Sequence, residues 1–212
     1  MKIDVISDLH LTKLNEFVEI EPQGEFIIIA GDVSSDADVV IGFLNDLSKK
    51  YRAVIYTFGN IELWHDSNPY NKLKKIKKNT NNNVFILDFL KGIKISNLTI
   101  TGGIYISPEN LTYHDRENIA NTDNFIKKLS NLSRTSIHKQ IKELNPKIIV
   151  THYPPVSISK LKKLYNTNEI EFSKIWVFGH YHQFKSFIGT HPIIKDVLYV
   201  NNASNKIMSL EI

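Results

Sequence analysis

Five short apolar runs in this chain each end at a residue suited to binding metal. Lys2-Ile-Asp-Val-Ile-Ser leads into Asp8-Leu9-His10, and Phe26-Ile-Ile-Ile-Ala leads into Gly31-Asp32. Ala53-Val-Ile-Tyr-Thr-Phe leads into Gly59-Asn60, Lys147-Ile-Ile-Val-Thr into His152, and Lys174-Ile-Trp-Val-Phe into Gly179-His180-Tyr181-His182. Runs this short, rich in β-branched and aromatic residues, read as buried strands. Ligands of open α/β sheets collect at the carboxyl ends of such strands. Two aspartates, one asparagine and four histidines are therefore expected to converge on one rim. That number of oxygen and nitrogen donors suits two metal ions.

The rest of the sequence fills in a layered fold. A helix is expected from about Asp38 to Lys49, with Val39, Val40, Phe43, Leu44 and Leu47 on one face. A basic helix follows near Pro69 to Lys78. Val84-Phe-Ile-Leu, Ile93-Lys-Ile and Leu98-Thr-Ile-Thr read as strands, with turns at Lys91-Gly92 and Ser96-Asn97. Ser107 to Asn121 reads as a loop. A long helix then runs from Thr122 or Asp123, both plausible caps, to Leu144, where Pro146 stops it. Val197-Leu-Tyr-Val and Lys206-Ile-Met-Ser-Leu-Glu-Ile read as a closing hairpin. Strand–helix alternation, then a meander, then terminal strands imply an α/β layered sandwich rather than one doubly wound sheet.

Composition narrows the chemistry. The chain has 212 residues, 42% of them hydrophobic, enough for one domain over residues 1–212. It contains no cysteine, so a metal must be held by oxygen and nitrogen. No apolar stretch is long enough to cross a bilayer, and Asp4 and Asp8 interrupt the first apolar run, unlike a signal peptide. A cytoplasmic protein with no membrane partner is expected, which makes the sequons at Asn97, Asn110, Asn131 and Asn202 chance matches. The net charge of +4 and pI near 9.0 raise a nucleic-acid partner, and with it a nuclease as an alternative function. Lys72-Leu-Lys-Lys-Ile-Lys-Lys and Lys160-Leu-Lys-Lys fit solvated helix faces instead, with no interleaved aromatics to stack bases.

Taken singly, Asp-x-His, Gly-Asp and His-x-His are weak signals; their ordered conjunction at strand ends is specific. Ser7-Asp8-Leu9-His10, Gly31-Asp32-Val33, Gly59-Asn60-Ile61-Glu62, Thr151-His152-Tyr153-Pro154-Pro155 and Gly179-His180-Tyr181-His182 together resemble the calcineurin-like metallophosphoesterases. The likeness extends from Asp8 to Asn202-Ala203-Ser204. It implies an α/β/β/α sandwich of two mixed sheets flanked by helices. It also implies that Asp8, His10, Asp32 and His182 hold one divalent ion and Asn60, His152 and His180 a second, with Asp32 bridging. Mn²⁺ leads the candidates, with Fe, Ni²⁺, Zn²⁺ and Co²⁺ compatible with the same donors. The implied activity is hydrolysis of a phosphoric ester by a hydroxide held between the metals. A small phosphodiester or nucleotide is expected rather than a protein substrate, because no long insertion offers a docking surface.

One position departs from the family pattern. A histidine that orients phosphate and protonates the leaving group normally follows the asparagine, and here that residue is Ile61. An alkyl side chain cannot donate a proton. The chain is therefore an esterase of restricted range, or recruits another catalytic group, or is a metal-binding protein without turnover. His65 and His114 are the candidates for a recruited histidine, and His114 with Arg116 for clamping phosphate; the alternatives are a helix start covered by His65 and a polar loop carrying His114 and Arg116. The oligomeric state is left open by the sequence.

Overall fold

The computed structural model describes residues 1–13, 19–65, 69–106, 108, 111–119, 122–155, 173–182, 186–190, 197–204 and 206–212. The Lys160 run lies outside the described residues, as do the side chains of Thr122 and Asp123. Strands β1 (Lys2–Ile6), β2 (Phe26–Ile29), β3 (Ala53–Thr57) and β4 (Val84–Leu87) are parallel neighbours in a five-stranded sheet. β11 (Met208–Glu211) closes it, antiparallel to β1. The second sheet runs β5 (Ile93–Ile95), β6 (Leu98–Gly103), β7 (Ile148–Thr151), β8 (Lys174–Phe178), β10 (Val197–Asn202) and β9 (Ser186–Thr190). Its β6, β7, β8 and β10 are parallel, and its two edge strands are antiparallel.

The sheets pack face to face. Ile3, Val5, Phe26, Ile28 and Ile55 from one share a core with Ile100, Ile148, Val150, Val177 and Val200 from the other. Ile27, Ile29, Val54 and Tyr56 turn the opposite way and pack with Val39, Val40, Leu44 and Leu47 of α1 (Ala37–Ser48). On the far side, Ile137 of α4 (Thr122–Leu144) joins Ile149, Trp176 and Tyr199 of the second sheet. β2 is therefore buried on both faces, which is why Phe26-Ile-Ile-Ile is an unbroken apolar run with no alternation. The layers are α/β/β/α with two mixed sheets, as the motif resemblance implies.

Local signals set the helix ends. Asp36 caps α1 by accepting from Asp38 N at 2.8 Å. α2 (Pro69–Asn79) starts at a proline, whose missing N–H is no loss at that position. Three expectations need correction. The segment from 107 to 121 contains a short helix, α3 (Tyr113–Asn118), started by a capping box between Thr112 and Asp115. β9 is an additional strand. The last two strands are not a hairpin, because β10 lies in the six-stranded sheet and β11 in the other.

Asn202 fixes that crossing between the sheets. Its amide donates to Val5 O at 2.7 Å and Lys206 O at 2.8 Å, while its Oδ1 accepts from the Ser186 and Ser204 hydroxyls at 2.7 and 2.8 Å. The turn around Asn202 thus ties β1 and β9 to the segment that leads into β11. Among the described residues no helix is long and apolar enough to cross a membrane.

Candidate metal centre

The seven donors lie just beyond the carboxyl ends of β1, β2, β3, β7 and β8. Each strand stops where the backbone must turn its side chain over the rim. Asp8, His10, Asp32 and His180 have φ of 58°, 51°, 55° and 71°, the left-handed region, which costs a non-glycine residue about 1–2 kcal/mol. Such strain concentrates at functional sites. The turns are locked by backbone bonds from Asp8 N to Gly31 O (3.0 Å) and from His10 N to Asp32 O (3.0 Å). Two of the motif glycines answer to close approach. A Cβ on Gly59 would strike the Asp32 carboxylate, and one on Gly179 would strike Asp8 and the Ser7 hydroxyl.

The donors meet in two overlapping groups. Ligand atoms of Asp8, His10 and His182 lie within 4.8 Å of one another, as do those of Asp8, Asp32 and His152. Asp8 belongs to both groups, and Asp32 of the second reaches towards the first: its Oδ1 is 3.4 Å from His152 Nε2 and its Oδ2 is 4.0 Å from His10 Nε2. Asn60 Oδ1 faces His152 Nε2 at 2.8 Å and His180 Nδ1 at 3.1 Å. His182 Nε2 is 3.2 Å from Asp8 Oδ1. The Tyr153 ring packs on His180 with centroids 4.3 Å apart, and the His10 and His182 rings are 5.2 Å apart.

His152 shows that this arrangement suits cations. It is fully buried, and its Nδ1 donates to Ala30 O at 2.7 Å, so Nε2 is the lone-pair nitrogen of the neutral ring. That nitrogen faces two oxygens, Asp32 Oδ1 and Asn60 Oδ1. Either a proton or a metal must sit among them. A histidine whose second nitrogen donates to a backbone carbonyl is the usual form of a metal-binding imidazole. Without metal the proton takes the place. Burial pushes the His152 pKa down, but the Asp32 carboxylate beside it reverses this and raises it above the ordinary histidine value. Burial likewise pushes Asp32 up, and His152 holds it below the carboxylate range.

Groups behind the donors hold the loops. Glu62, fully buried, accepts from the backbone N–H groups of Asp32 (3.1 Å), Val33 (2.6 Å) and Gly59 (2.6 Å), joining the β2 and β3 turns. Burial, then repulsion by Asp32, raises its pKa. Lys72 departs from the solvated-face reading of its basic run. It is buried and donates to Ser35 O, Glu62 O and Trp64 O, bracing the single 3₁₀ turn Ile61–Leu63 that follows Asn60. Lys75 and Lys77 of the same helix pair with Asp38 and Asp88.

The three candidate catalytic groups are exposed. His114 is 76% exposed on its side chain and lies 4.0 Å from Glu117. Arg116, also exposed, donates to Pro108 O at 2.9 Å. His65 is exposed with φ of 57°, and its ring meets the edge of Trp64. The residue of that segment which turns inward is Asp115, which the motif reading passed over. The Thr112-x-x-Asp115 capping spacing was the available signal. Ile61 is buried, and its N–H donates to Asp32 Oδ1 at 3.0 Å.

A sandwich of two mixed sheets, with carboxylate, imidazole and amide donors gathered at its rim, defines a metal-dependent hydrolase of the phosphoesterase class. The sequence matches the calcineurin-like phosphoesterase family over residues 1–184, and the chain belongs to that family of metal-dependent phosphoester hydrolases. Its structure is similar to that of the phosphopantetheinyl hydrolase PptH of Mycobacterium tuberculosis, with a TM-score of 0.64 at 16% identity. That match covers 96% of this chain and 90% of the other. A second match is the protein of unknown function AQ665 from Aquifex aeolicus, with a TM-score of 0.35 at 15% identity, over 73% and 81% of the two chains. No curated protein matches the chain in sequence.

Proposed function

We propose that the protein hydrolyses a small phosphodiester or nucleotide with two divalent cations, Mn²⁺ first among them. Asp8, His10 and His182 would hold one ion, Asn60, His152 and His180 the other, and Asp32 both. The observation that carries this reading is Asp32, whose two carboxylate oxygens lie near two different imidazoles, Oδ1 at 3.4 Å from His152 and Oδ2 at 4.0 Å from His10. The ions supply Lewis acidity towards phosphate oxygens and lower the pKa of water.

The chain's own residues account for binding and selectivity. The site opens into a cleft of about 560 Å³ lined by Asp8, Leu9, His10, His182, Ser186, Ala203, Ser204 and Lys206. That volume fits a small molecule. Lys206 brings a positive charge to the mouth, suited to an anionic substrate. His10 and His182, the more exposed donors, form the wall a substrate would meet first. Ile61 gives the leaving group no proton, which favours esters whose leaving group departs without one. The inward Lys72 and the paired Lys75 and Lys77 weaken the basic stripe that a nucleic-acid partner would need.

The test is a divalent-ion series on purified protein, assayed with bis(p-nitrophenyl) phosphate and p-nitrophenyl phosphate. We expect close to two metal equivalents, Mn²⁺-dependent turnover and preference for the diester. Protein that binds no metal and cleaves neither ester with any divalent ion would sink the reading. One observation favours a second reading, a metal-binding protein without turnover: the buried Ile61 at the histidine position. Under that reading the parent binds metal but is inert, and Ile61→His creates activity.

A further inference from the structure

We propose that Asp115 is a positioning residue of the metal centre, setting which end of the Asn60 amide faces the cations. The inference rests on the metal-site reading of Asn60, His152 and His180. An asparagine amide has two ends of nearly equal shape, and only the carbonyl oxygen can bind a metal. With the amide reversed, an NH₂ group would point at the imidazoles and that ligand would be lost. Some partner must therefore discriminate between the two ends.

Asp115 does so by being an acceptor only. Its Oδ1 lies 2.7 Å from Asn60 Nδ2 and 3.0 Å from Trp64 Nε1, and an indole nitrogen is a donor only. A carboxylate oxygen facing the other end of the amide would confront Asn60 Oδ1, acceptor against acceptor, in a buried place. The second oxygen, Oδ2, accepts from Thr112 N and Thr112 Oγ1, each at 2.8 Å. Four donors thus satisfy one fully buried carboxylate. Two come from the helix start that carries Asp115, and two from the turn that carries Asn60. The capping box turns Asp115 inward and leaves its neighbours His114 and Arg116 outside.

Outer partners of this kind typically change metal affinity about 10–100-fold. The test measures Mn²⁺ stoichiometry and affinity by titration, with the coupled-ion signal in electron paramagnetic resonance, alongside turnover. In Asp115→Asn the new amide can present NH₂ to Asn60, which removes the discrimination. We expect one of the two equivalents to weaken about 10-fold or more and the coupled signal to fade, while the metal-free protein stays folded. The reciprocal swap, Asn60→Asp with Asp115→Asn, keeps the net charge and places an oxygen towards the imidazoles whichever way it turns. It should regain most of the lost affinity, though not all, since Trp64 is left one acceptor short. A purely structural role for Asp115 would not be rescued by the swap.

Two equivalents at parental affinity in Asp115→Asn would overturn the proposal and leave the metal site standing. Failure of the parent to bind any divalent ion would instead overturn the site itself. Should Asp115→Asn fail to fold, the Zn²⁺-loaded parent decides by nuclear magnetic resonance. A through-space contact between the Asn60 amide protons and the Trp64 indole proton supports the assignment; contact of those protons with His180 instead refutes it.

Discussion

Strand β1 and the turn that follows it carry two buried carboxylates, Asp4 and Asp8, in opposite circumstances. Asp4 accepts from Gln23 N (2.8 Å), Gly24 N (3.1 Å), Tyr51 Oη (2.7 Å) and Ser209 Oγ (2.5 Å). Every partner is a protein donor, so the cluster is closed. Asp8, just past the strand, accepts from His180 N and the Ser7 hydroxyl but also faces His182, and belongs to both donor groups at the rim. There the carboxylates, imidazoles and an amide oxygen converge on shared space. A buried carboxylate is therefore no sign of a site until its partners are counted. The donors around Asp4 close its cluster, whereas lone pairs aimed at common space around Asp8 suit a cation.

Four measurements break or sharpen this contrast. The largest effect is expected for Asp32→Asn, which weakens both metal positions at once. The value of kcat/KM should fall about 10³-fold, or about 4 kcal/mol, with metal content dropping below two equivalents. A change no larger than that of a surface variant would remove Asp32 from the centre. Next comes metal removal. At a free metal concentration of about 100 Kd, each bound ion contributes about 2.7 kcal/mol, so chelation should lower Tm by about 5–10 °C for each ion lost. Asp32→Asn protein should respond less, and equal shifts would mean the ion acts elsewhere.

Asp4→Asn tests the closed cluster. It should cost about 1–3 kcal/mol of stability while leaving metal content unchanged. The direction of its pH dependence follows from its partners. Burial pushes the Asp4 pKa up, but hydrogen bonds from Ser209, Gln23, Tyr51 and Gly24 outweigh it and hold the value below 3.8. A depressed folded-state pKa gives stability that is complete above the unfolded value and lost as pH falls through the folded one. The substitution should therefore flatten the acid end of an unfolding-versus-pH curve; an unchanged acid limb would count against the cluster. The smallest effect is expected for His114→Ala, within about threefold in kcat/KM, since an exposed side chain beside Glu117 contributes little. A hundredfold loss would bring the exposed segment into catalysis.

The rim could be read in the sequence because an apolar strand and the residue that ends it are neighbours in the chain. Asp8, Asp32, Asn60, His152 and His180 all announce themselves in that way, and the helices showed through their periodicity and stops. What escaped depends on tertiary placement. β10 and β11 have ordinary strand sequences, and nothing in Val197-Leu-Tyr-Val says which sheet receives it; the Asn202 network decides that. Lys72 looks like its neighbours in a basic run, yet the carbonyls of Glu62 and Trp64 draw it inward. A six-residue helix is too short for a periodic signal, so α3 was visible only through its cap. His114 and Arg116 carry the conspicuous charge around position 115, while local geometry buries the residue between them.

The sequence separation of the rim donors has a consequence for how the protein is made. Asp8 meets His180 across 172 positions. A ribosome releases residues one after another, so the first donors emerge long before their partners exist. Loop-closure entropy must be overcome before that contact forms. A nascent chain halted before β8 has the first wall of the pocket but lacks His180 and His182 to face it. Completion of the donor set is thus a late event in biogenesis, because it waits on β8 and the residues just beyond it.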